Sequence, residues 1–116
     1  MPIVTTQYLQ KVREMVLPLP GVEEYICFLT PAFRVKKKLL ARLKEDGETL
    51  AVHSDDRDVW MEADVNAFFV TDHYRNYPMV LVRLAVVKKQ DLQNVLLEAW
   101  TQIAPKRLLA EFKRSH

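Results

Sequence analysis

The chain has 116 residues, 49% of them hydrophobic and 28% charged, as in an ordinary soluble globular protein with a single core. The formal charge of +2 is too small to indicate a polyanion partner by itself. One cysteine, Cys27, excludes an intramolecular disulfide and suits a reducing cytosol. With no leader-like segment and no apolar run near the ~20 residues of a membrane helix, we expect one cytoplasmic domain over residues 1–116 and no membrane association.

The first predicted element is a helix that ends at Pro18. Thr5 or Thr6 can cap it, because a hydroxyl accepts hydrogen bonds from the free N–H groups of the opening turn. Its apolar face is given by residues at helical spacing, namely Leu9, Val12 and Val16. A less regular extended segment follows at Glu23–Leu29, where apolar residues alternate.

Three short strands joined by two tight turns are predicted over Pro31–His53, because apolar and polar residues alternate with a period of two. Lys36–Lys38 forms the first turn. Glu45–Glu48 forms the second, where Asp-Gly is a strong hairpin signal. The residues expected to face the helices are Phe33, Val35, Leu39, Ala41 and Leu43.

A second helix is predicted over about Asp55–Ala63. Ser54 is its expected N-cap, and the acidic residues of its first turn complement the helix dipole. Val59 and Ala63 are expected to point inward, and Asp64 to cap a single turn that follows.

The last half contains two more predicted strands and two helices. A strand or extended segment is expected at about Val70–Tyr74, and a long β-branched strand at Met79–Val87. Pro105 suits the first turn of the final helix. The helix before it has an apolar face of Leu92, Val95, Leu96, Ala99 and Ile103. The predicted fold class is therefore α+β in two layers, with a single antiparallel sheet of about five strands, helices mainly on one face, and the order α-β-β-β-α-β-β-α-α.

Short motifs follow one another in a fixed order along nearly the whole chain. They are Leu19-Pro20-Gly21-Val22-Glu23-Glu24, Thr30-Pro31-Ala32-Phe33-Arg34-Val35, Lys38-Leu39-Leu40-Ala41-Arg42-Leu43, Glu45-Asp46-Gly47, Phe69-Val70-Thr71-Asp72-His73-Tyr74, Pro78-Met79-Val80-Leu81-Val82-Arg83-Leu84, Glu98-Ala99-Trp100 and Ala104-Pro105-Lys106-Arg107. This order resembles the MmcQ/YjbR family of small bacterial proteins. The resemblance implies a two-layer α+β fold related in shape to secretion chaperones, and DNA binding through a double-wing arrangement. Lys37 stands where such proteins usually have Gly, which adds a charge to the wing, and Met79 where they often have Trp, which removes an aromatic.

Charge is segregated along the chain. Residues 31–44 hold six cations and no acid, whereas residues 45–72 hold nine acids against one arginine. Such segregation produces a dipolar surface that steers charged partners. If the apolar residues of the hairpin pack on the helices, the cations emerge together on the opposite face, and these are Arg34, Lys36, Arg42 and Lys44, joined by Arg83.

The predicted nucleic-acid-binding residues are Arg34, Lys36, Lys37, Lys38, Arg42, Lys44, His73, Arg75 and Arg83. Cations on a rigid sheet surface suit phosphate contacts, and the aromatic loop His73–Tyr77 can stack on bases. The alternative is structural: lysines on a solvated sheet face discourage edge-to-edge aggregation, and the loop tyrosines bury their rings.

No catalytic residue, metal ligand or cofactor is predicted. Cys27, His53 and His73 lie at no recognised metal-ligand spacing, and Cys27 sits in an apolar stretch that indicates an ordinary buried thiol. Two glycines are too few for a glycine-rich phosphate loop.

Two functions from different classes follow. The first is a non-enzymatic DNA-binding protein with weak sequence preference, because no helix is rich in base-reading Arg, Asn and Gln. The second is a chaperone-like protein-interaction module that can pair as a homodimer through its sheet or its helices. In such a dimer the acidic segment 45–72 of one copy would meet the basic hairpin, residues 31–44, of the other.

Overall fold

The computed structural model describes the backbone of residues 6–115 and the side chains of residues 7–114. Within this range the chain forms four α-helices and one antiparallel sheet of six strands. The elements are α1 Thr6–Val16, β1 Val22–Cys27, β2 Thr30–Val35, β3 Lys38–Leu43, β4 Thr49–His53, α2 Arg57–Ala63, β5 Phe68–Phe69, β6 Met79–Arg83, α3 Lys89–Ile103 and α4 Lys106–Ser115. The predicted caps, Thr5 and the side chain of Thr6, lie outside the described residues.

The sheet has the strand order β1-β2-β3-β4-β6-β5, which confirms the predicted α+β class with a single antiparallel sheet. The segment Glu23–Leu29 contributes a full strand, β1, so the described sheet has six strands. The strand predicted at Val70–Tyr74 was wrong, because β5 pairs with β6 earlier, at Phe68 and Phe69. Asp72–Tyr74 instead forms a short 3-10 turn.

The predicted strand Met79–Val87 ends at Arg83. The N–H groups of Val86 and Val87 turn back onto the Arg83 carbonyl oxygen, at 3.0 and 2.9 Å, and this turn leads into α3. The run of β-branched residues therefore forms strand β6 up to Arg83 and the connection to α3 beyond it.

The main core lies between the inner face of the sheet and the helices. Trp100 of α3 is fully buried there, and its indole N–H donates to the Pro20 carbonyl oxygen at 2.9 Å. The predicted apolar face of α3 is confirmed, because all five residues are buried. The sheet contributes Phe33, Val35, Leu43, Leu50, Val52, Val80 and Val82 to the same cluster.

A β-bulge at Leu40 changes which residues of β3 face inward. Phe33 pairs with Ala41 and Arg34 with Leu39, so Leu40 is an extra residue on β3. Leu40 is fully buried in the main core, whereas Leu39 packs on the opposite face. The expectation that Leu39 faces the helices was wrong, since strict alternation cannot anticipate an inserted residue.

The second helix begins two residues later than its predicted start and presents another face. Asp56, not Ser54, occupies its N-cap position, and the Ser54 hydroxyl is buried without a hydrogen-bond partner among the described residues. Val59 is 65% exposed, and Trp60 takes the inward position by packing on Phe68 with ring centroids 5.2 Å apart. The predicted inward positions of Val59 and Ala63 were therefore wrong.

The single turn after α2 is capped as predicted. The Asp64 carboxylate accepts from the backbone N–H groups of Asn66 and Ala67, at 3.1 and 3.2 Å. This turn delivers Phe68 to the main core and Phe69 to the opposite face of the sheet.

Candidate nucleic-acid interface and the cleft beside it

The sheet face turned away from the main core is here called the outer face. Ala51, Met79 and Leu81 are buried on it, with further apolar packing from Leu39, Phe69 and Tyr74. The outer face is therefore covered in part by apolar side chains and by the loop at residues 71–78. It is not the open charged surface that the alternating pattern predicted.

Arg57 holds this loop in place. Its guanidinium donates to the carbonyl oxygens of Tyr74 (3.1 Å), Tyr77 (2.7 Å), Met79 (3.2 Å) and Arg75 (2.6 Å). The planar fork of an arginine is suited to such multiple acceptors. Sequence reasoning counted Arg57 only as one cation among acids, and no local pattern marks it as the residue that orders a loop.

Arg34 lies on the outer face but is engaged with β1. Its Nε donates to the Glu23 carboxylate at 2.7 Å, and its guanidinium lies 4.2 Å from the Tyr25 ring centroid. The pair is partly exposed, with 38% and 57% of the two side chains accessible. Arg34 therefore reaches solvent but carries its own counterion.

Arg42 lies on the outer face but is not accessible there as predicted, because it is only 6% exposed. Its Nη2 donates to the Glu45 carboxylate at 2.7 Å and its Nε to the Cys27 carbonyl oxygen at 3.1 Å. The hydrogen bond from Arg42 holds the pKa of the Glu45 carboxyl below its ordinary value. The β1–β2 hairpin thus folds over Arg42 and removes it from any patch that contacts phosphate freely.

Lys44 and the aromatic loop come together beside Arg42. The Lys44 ammonium donates to the Tyr74 hydroxyl at 2.9 Å and lies 3.8 Å from Glu45. Tyr74 meets His73 edge to face at 4.9 Å and Tyr77 at 6.5 Å between ring centroids. The loop predicted as a stacking site is therefore an aromatic cluster, with His73 and Tyr77 exposed on its surface.

Arg75 and Arg83 contact residues outside the basic hairpin. Arg75 pairs with Asp72 at 2.6 Å, and both side chains are largely exposed. Arg83 donates to the Asn66 carbonyl oxygen at 3.0 Å and stacks on Phe69, with its guanidinium carbon 3.9 Å from the ring centroid. Both residues serve local contacts, and the structure does not bring them together with Lys36–Lys38.

Lys36 and Lys37 connect β2 to β3, and together with Lys38, the first residue of β3, they are called the lysine turn. Its three side chains are exposed and form no ion pair with any residue of the described range. Lys36 has φ 59°, a left-handed conformation that favours glycine. Of the predicted DNA-contacting residues, these three are exposed and have no ion pair, side-chain hydrogen bond or ring contact within the described range, whereas Arg83, also exposed, is held by Asn66 and Phe69.

The turn between β3 and β4 is ordered by the carboxylate of Asp46. Its oxygens accept from the N–H of Glu48 (2.9 Å), the N–H of Thr49 (2.9 Å) and the Thr49 hydroxyl (2.7 Å). Partial burial opposes ionisation, but these hydrogen bonds outweigh it, and the pKa of Asp46 lies below its ordinary value.

We predict that Asp46→Ala lowers the free energy of unfolding by about 1 kcal/mol at pH 7, because the turn loses these acceptors. A carboxyl whose pKa is depressed in the folded state stabilises the fold above its unfolded pKa of about 4, and loses that effect as the pH falls through the folded value. Urea unfolding at several pH values should therefore show the wild type and the variant converging below about pH 4. Glu48→Ala is the control, and a difference that persists unchanged at pH 2 to 3 contradicts the prediction.

A cleft of about 490 Å³ opens on the outer face between the β1–β2 hairpin and the loop at residues 71–78. Leu39 and Met79 line it from the strands, and Tyr74 and Tyr77 from the loop. Arg42, Lys44 and His73 bring basic side chains to it, and Glu45 is the acid that lines it. Sequence reasoning identified Lys44 and the loop but not the cavity they enclose.

The β1–β2 turn at the mouth of this cleft is made of two bulky apolar residues. Phe28 and Leu29 both have positive φ, at 51° and 71°, and are 80% and 94% exposed. Two-residue hairpin turns of this shape favour Asn-Gly, because large side chains are strained there. No turn-forming residue marks this position, so the sequence predicted it as part of an extended segment.

Among the described residues, no three His, Cys, Asp or Glu side chains are grouped closely enough to hold a metal ion. None of the helices in residues 6–115 has the length and apolar character needed to cross a bilayer.

Comparison with known proteins finds uncharacterised relatives, but no matching family model or solved structure. The chain is 37% identical over 71 residues to uncharacterised proteins of Mycobacterium bovis and Mycobacterium tuberculosis, an alignment that covers 61% of this chain. The aligned segment is 49% of each mycobacterial protein, so the chain spans about half the length of the curated relatives it matches. No family model matches the chain, and no solved structure matches it significantly.

Proposed function

We propose that this protein is a non-enzymatic DNA-binding module that contacts phosphates through the lysine turn. The observation that supports this most is the exposure of Lys36, Lys37 and Lys38 without an ion pair in the described part of the chain. A free ammonium group beside DNA displaces condensed counterions, and this release favours binding without reading sequence. The resemblance of the motif order to MmcQ/YjbR proteins supports the same function.

The number of phosphates that the protein contacts is expected to be small. Arg34 and Arg42 already have the counterions Glu23 and Glu45, so a phosphate at either position would compete with a formed ion pair. With about three phosphates neutralised, the logarithm of the affinity should fall with the logarithm of salt concentration with a slope of about −3. Sequence preference should be weak, since lysine contacts to phosphate carry no base information.

A salt titration with fluorescently labelled duplex DNA tests this proposal. The triple variant Lys36→Ala, Lys37→Ala, Lys38→Ala should weaken binding about equally for unrelated duplexes and flatten the salt slope towards zero. A triple variant of exposed lysines elsewhere, Lys88→Ala, Lys106→Ala, Lys113→Ala, has the same change in net charge and should retain most of the slope. Equal losses in the two triple variants would reject the lysine turn as the contact.

The exposure of strand β1 favours a second function. Within residues 6–115, β1 is an edge strand of the sheet, and the exposed apolar residues Ile26 and Leu29 lie in it and in the turn that follows, at 65% and 94% exposure. An edge strand with exposed apolar residues pairs readily with another chain. This supports a protein-interaction module that forms a homodimer through β1. Native mass spectrometry should then show a dimer that Ile26→Lys dissociates, and a monomer at every concentration contradicts this alternative.

A further inference from the structure

The cleft on the outer face has the composition of a ligand site. Its volume of about 490 Å³ is in the range that holds a small molecule. The strands supply apolar side chains, Leu39 and Met79, and the rim carries aromatic rings of Phe28 and Tyr77 that are 80% and 56% exposed. A flat apolar molecule is the shape that two such rings and an apolar floor accommodate.

The charge of the cleft favours an anion. Arg42 and Lys44 line it together, and their side chains are only 8% and 24% exposed. Glu45 is the acid in the lining, and it is already hydrogen-bonded to Arg42 at 2.7 Å. The Lys44 ammonium has a neutral hydroxyl, that of Tyr74, as its hydrogen-bond partner at 2.9 Å and lies further, 3.8 Å, from Glu45. A ligand carboxylate, sulfonate or phosphate at this point would supply a better counterion.

The backbone at the mouth of the cleft is strained in the way binding sites often are. Phe28 and Leu29 occupy left-handed conformations, at φ 51° and 71°, that ordinarily go to Asn and Gly. The result is that the Phe28 ring stands 5.4 Å from the Arg42 guanidinium and projects into solvent. A ring held there without burial contributes little to the fold, but it forms one wall of the cleft.

We propose that this cleft binds a small, flat aromatic molecule that carries one anionic group. The aromatic part lies between Phe28 and Tyr77 over Leu39 and Met79. The anionic group pairs with Lys44, next to Arg42. This site is separate from the lysine turn, so it is tested without DNA.

The turn itself provides a variant that separates binding from folding. Phe28→Asn with Leu29→Gly creates a relaxed hairpin turn, so we expect its melting temperature to rise while the aromatic wall is lost. Leu29→Gly alone relaxes the turn but retains Phe28, and it is the matched control. The probe is anilinonaphthalene sulfonate, an anionic aromatic dye, added to the full chain and followed by fluorescence titration with near-ultraviolet circular dichroism to confirm native packing.

The wild type and Leu29→Gly should bind one equivalent of the dye with similar affinity, and the double variant should bind about tenfold more weakly. Lys44→Met should weaken the dye by about the same factor but leave the neutral N-phenylnaphthylamine unaffected. The proposal is overturned if the native wild type does not bind the dye in a saturable way. It is also overturned if the double variant binds as well as the Leu29→Gly control, or if Lys44→Met weakens both probes equally.

Discussion

Replacing Arg57 by alanine is expected to detach the loop at residues 71–78 from the sheet and to lower the free energy of unfolding by about 3 kcal/mol. The guanidinium donates to four carbonyl oxygens, those of Tyr74, Arg75, Tyr77 and Met79, and the bonds to Tyr74 and Met79 are partly buried. A charged donor to a carbonyl stabilises more than a neutral one, and solvent replaces it only at the exposed acceptors. Urea denaturation measures the loss, and amide hydrogen exchange across the loop should accelerate.

Arg75→Ala is the matched control for Arg57. Arg75 is also an arginine of this loop, but its pair with Asp72 is 67% and 94% exposed, so its loss should change stability by less than about 0.5 kcal/mol. Arg57→Lys should be intermediate, because one ammonium cannot reach all the acceptors of a planar fork. Similar stabilities for Arg57→Ala and Arg75→Ala would show that the loop is held by its own packing. Arg57→Ala also affects the cleft, since Tyr74 and Tyr77 line it from the loop that Arg57 holds.

Trp100→Ala should cost about 4 kcal/mol of unfolding free energy, which is a large part of the stability of a domain of this size. Trp100 is fully buried between α3 and the sheet, packs against Phe112 with ring centroids 5.1 Å apart, and donates to the Pro20 carbonyl oxygen. The substitution leaves a cavity and an acceptor without its donor. The expected result is a large shift of the urea midpoint or loss of cooperative unfolding.

Trp60→Ala separates the effect of burial from that of removing a tryptophan. Trp60 also packs on an aromatic ring and donates its indole N–H, to Glu98 at 2.9 Å, but it is only partly buried. Its replacement should cost roughly half as much as that of Trp100. Equal costs at the two positions would contradict the assignment of Trp100 to the centre of the core.

The difference between the predicted and observed cation patch has a specific cause. Alternation along residues 41–44 placed Arg42 and Lys44 on the outer face, and this is where the structure has them, but alternation says nothing about what covers that face. The β1–β2 hairpin lies over Arg42, and the loop held by Arg57 lies over Lys44. Both coverings depend on contacts between residues far apart in the chain. Neither segment covers the lysine turn, because it lies at the opposite end of β2 from the β1–β2 turn.

The sequence by itself determined the fold class, the apolar face of α3 and the turns between β2, β3 and β4. Periodicity, capping residues and an Asp-Gly turn are local signals that depend on only a few neighbouring residues. Tertiary structure alone decided the bulge at Leu40, the role of Arg57 and the left-handed turn at Phe28–Leu29. In each of these, packing or hydrogen bonding between distant segments outweighs the local preference of the residue. The cleft is enclosed by such distant contacts, whereas the lysine turn follows from the local pattern of the β2–β3 connection.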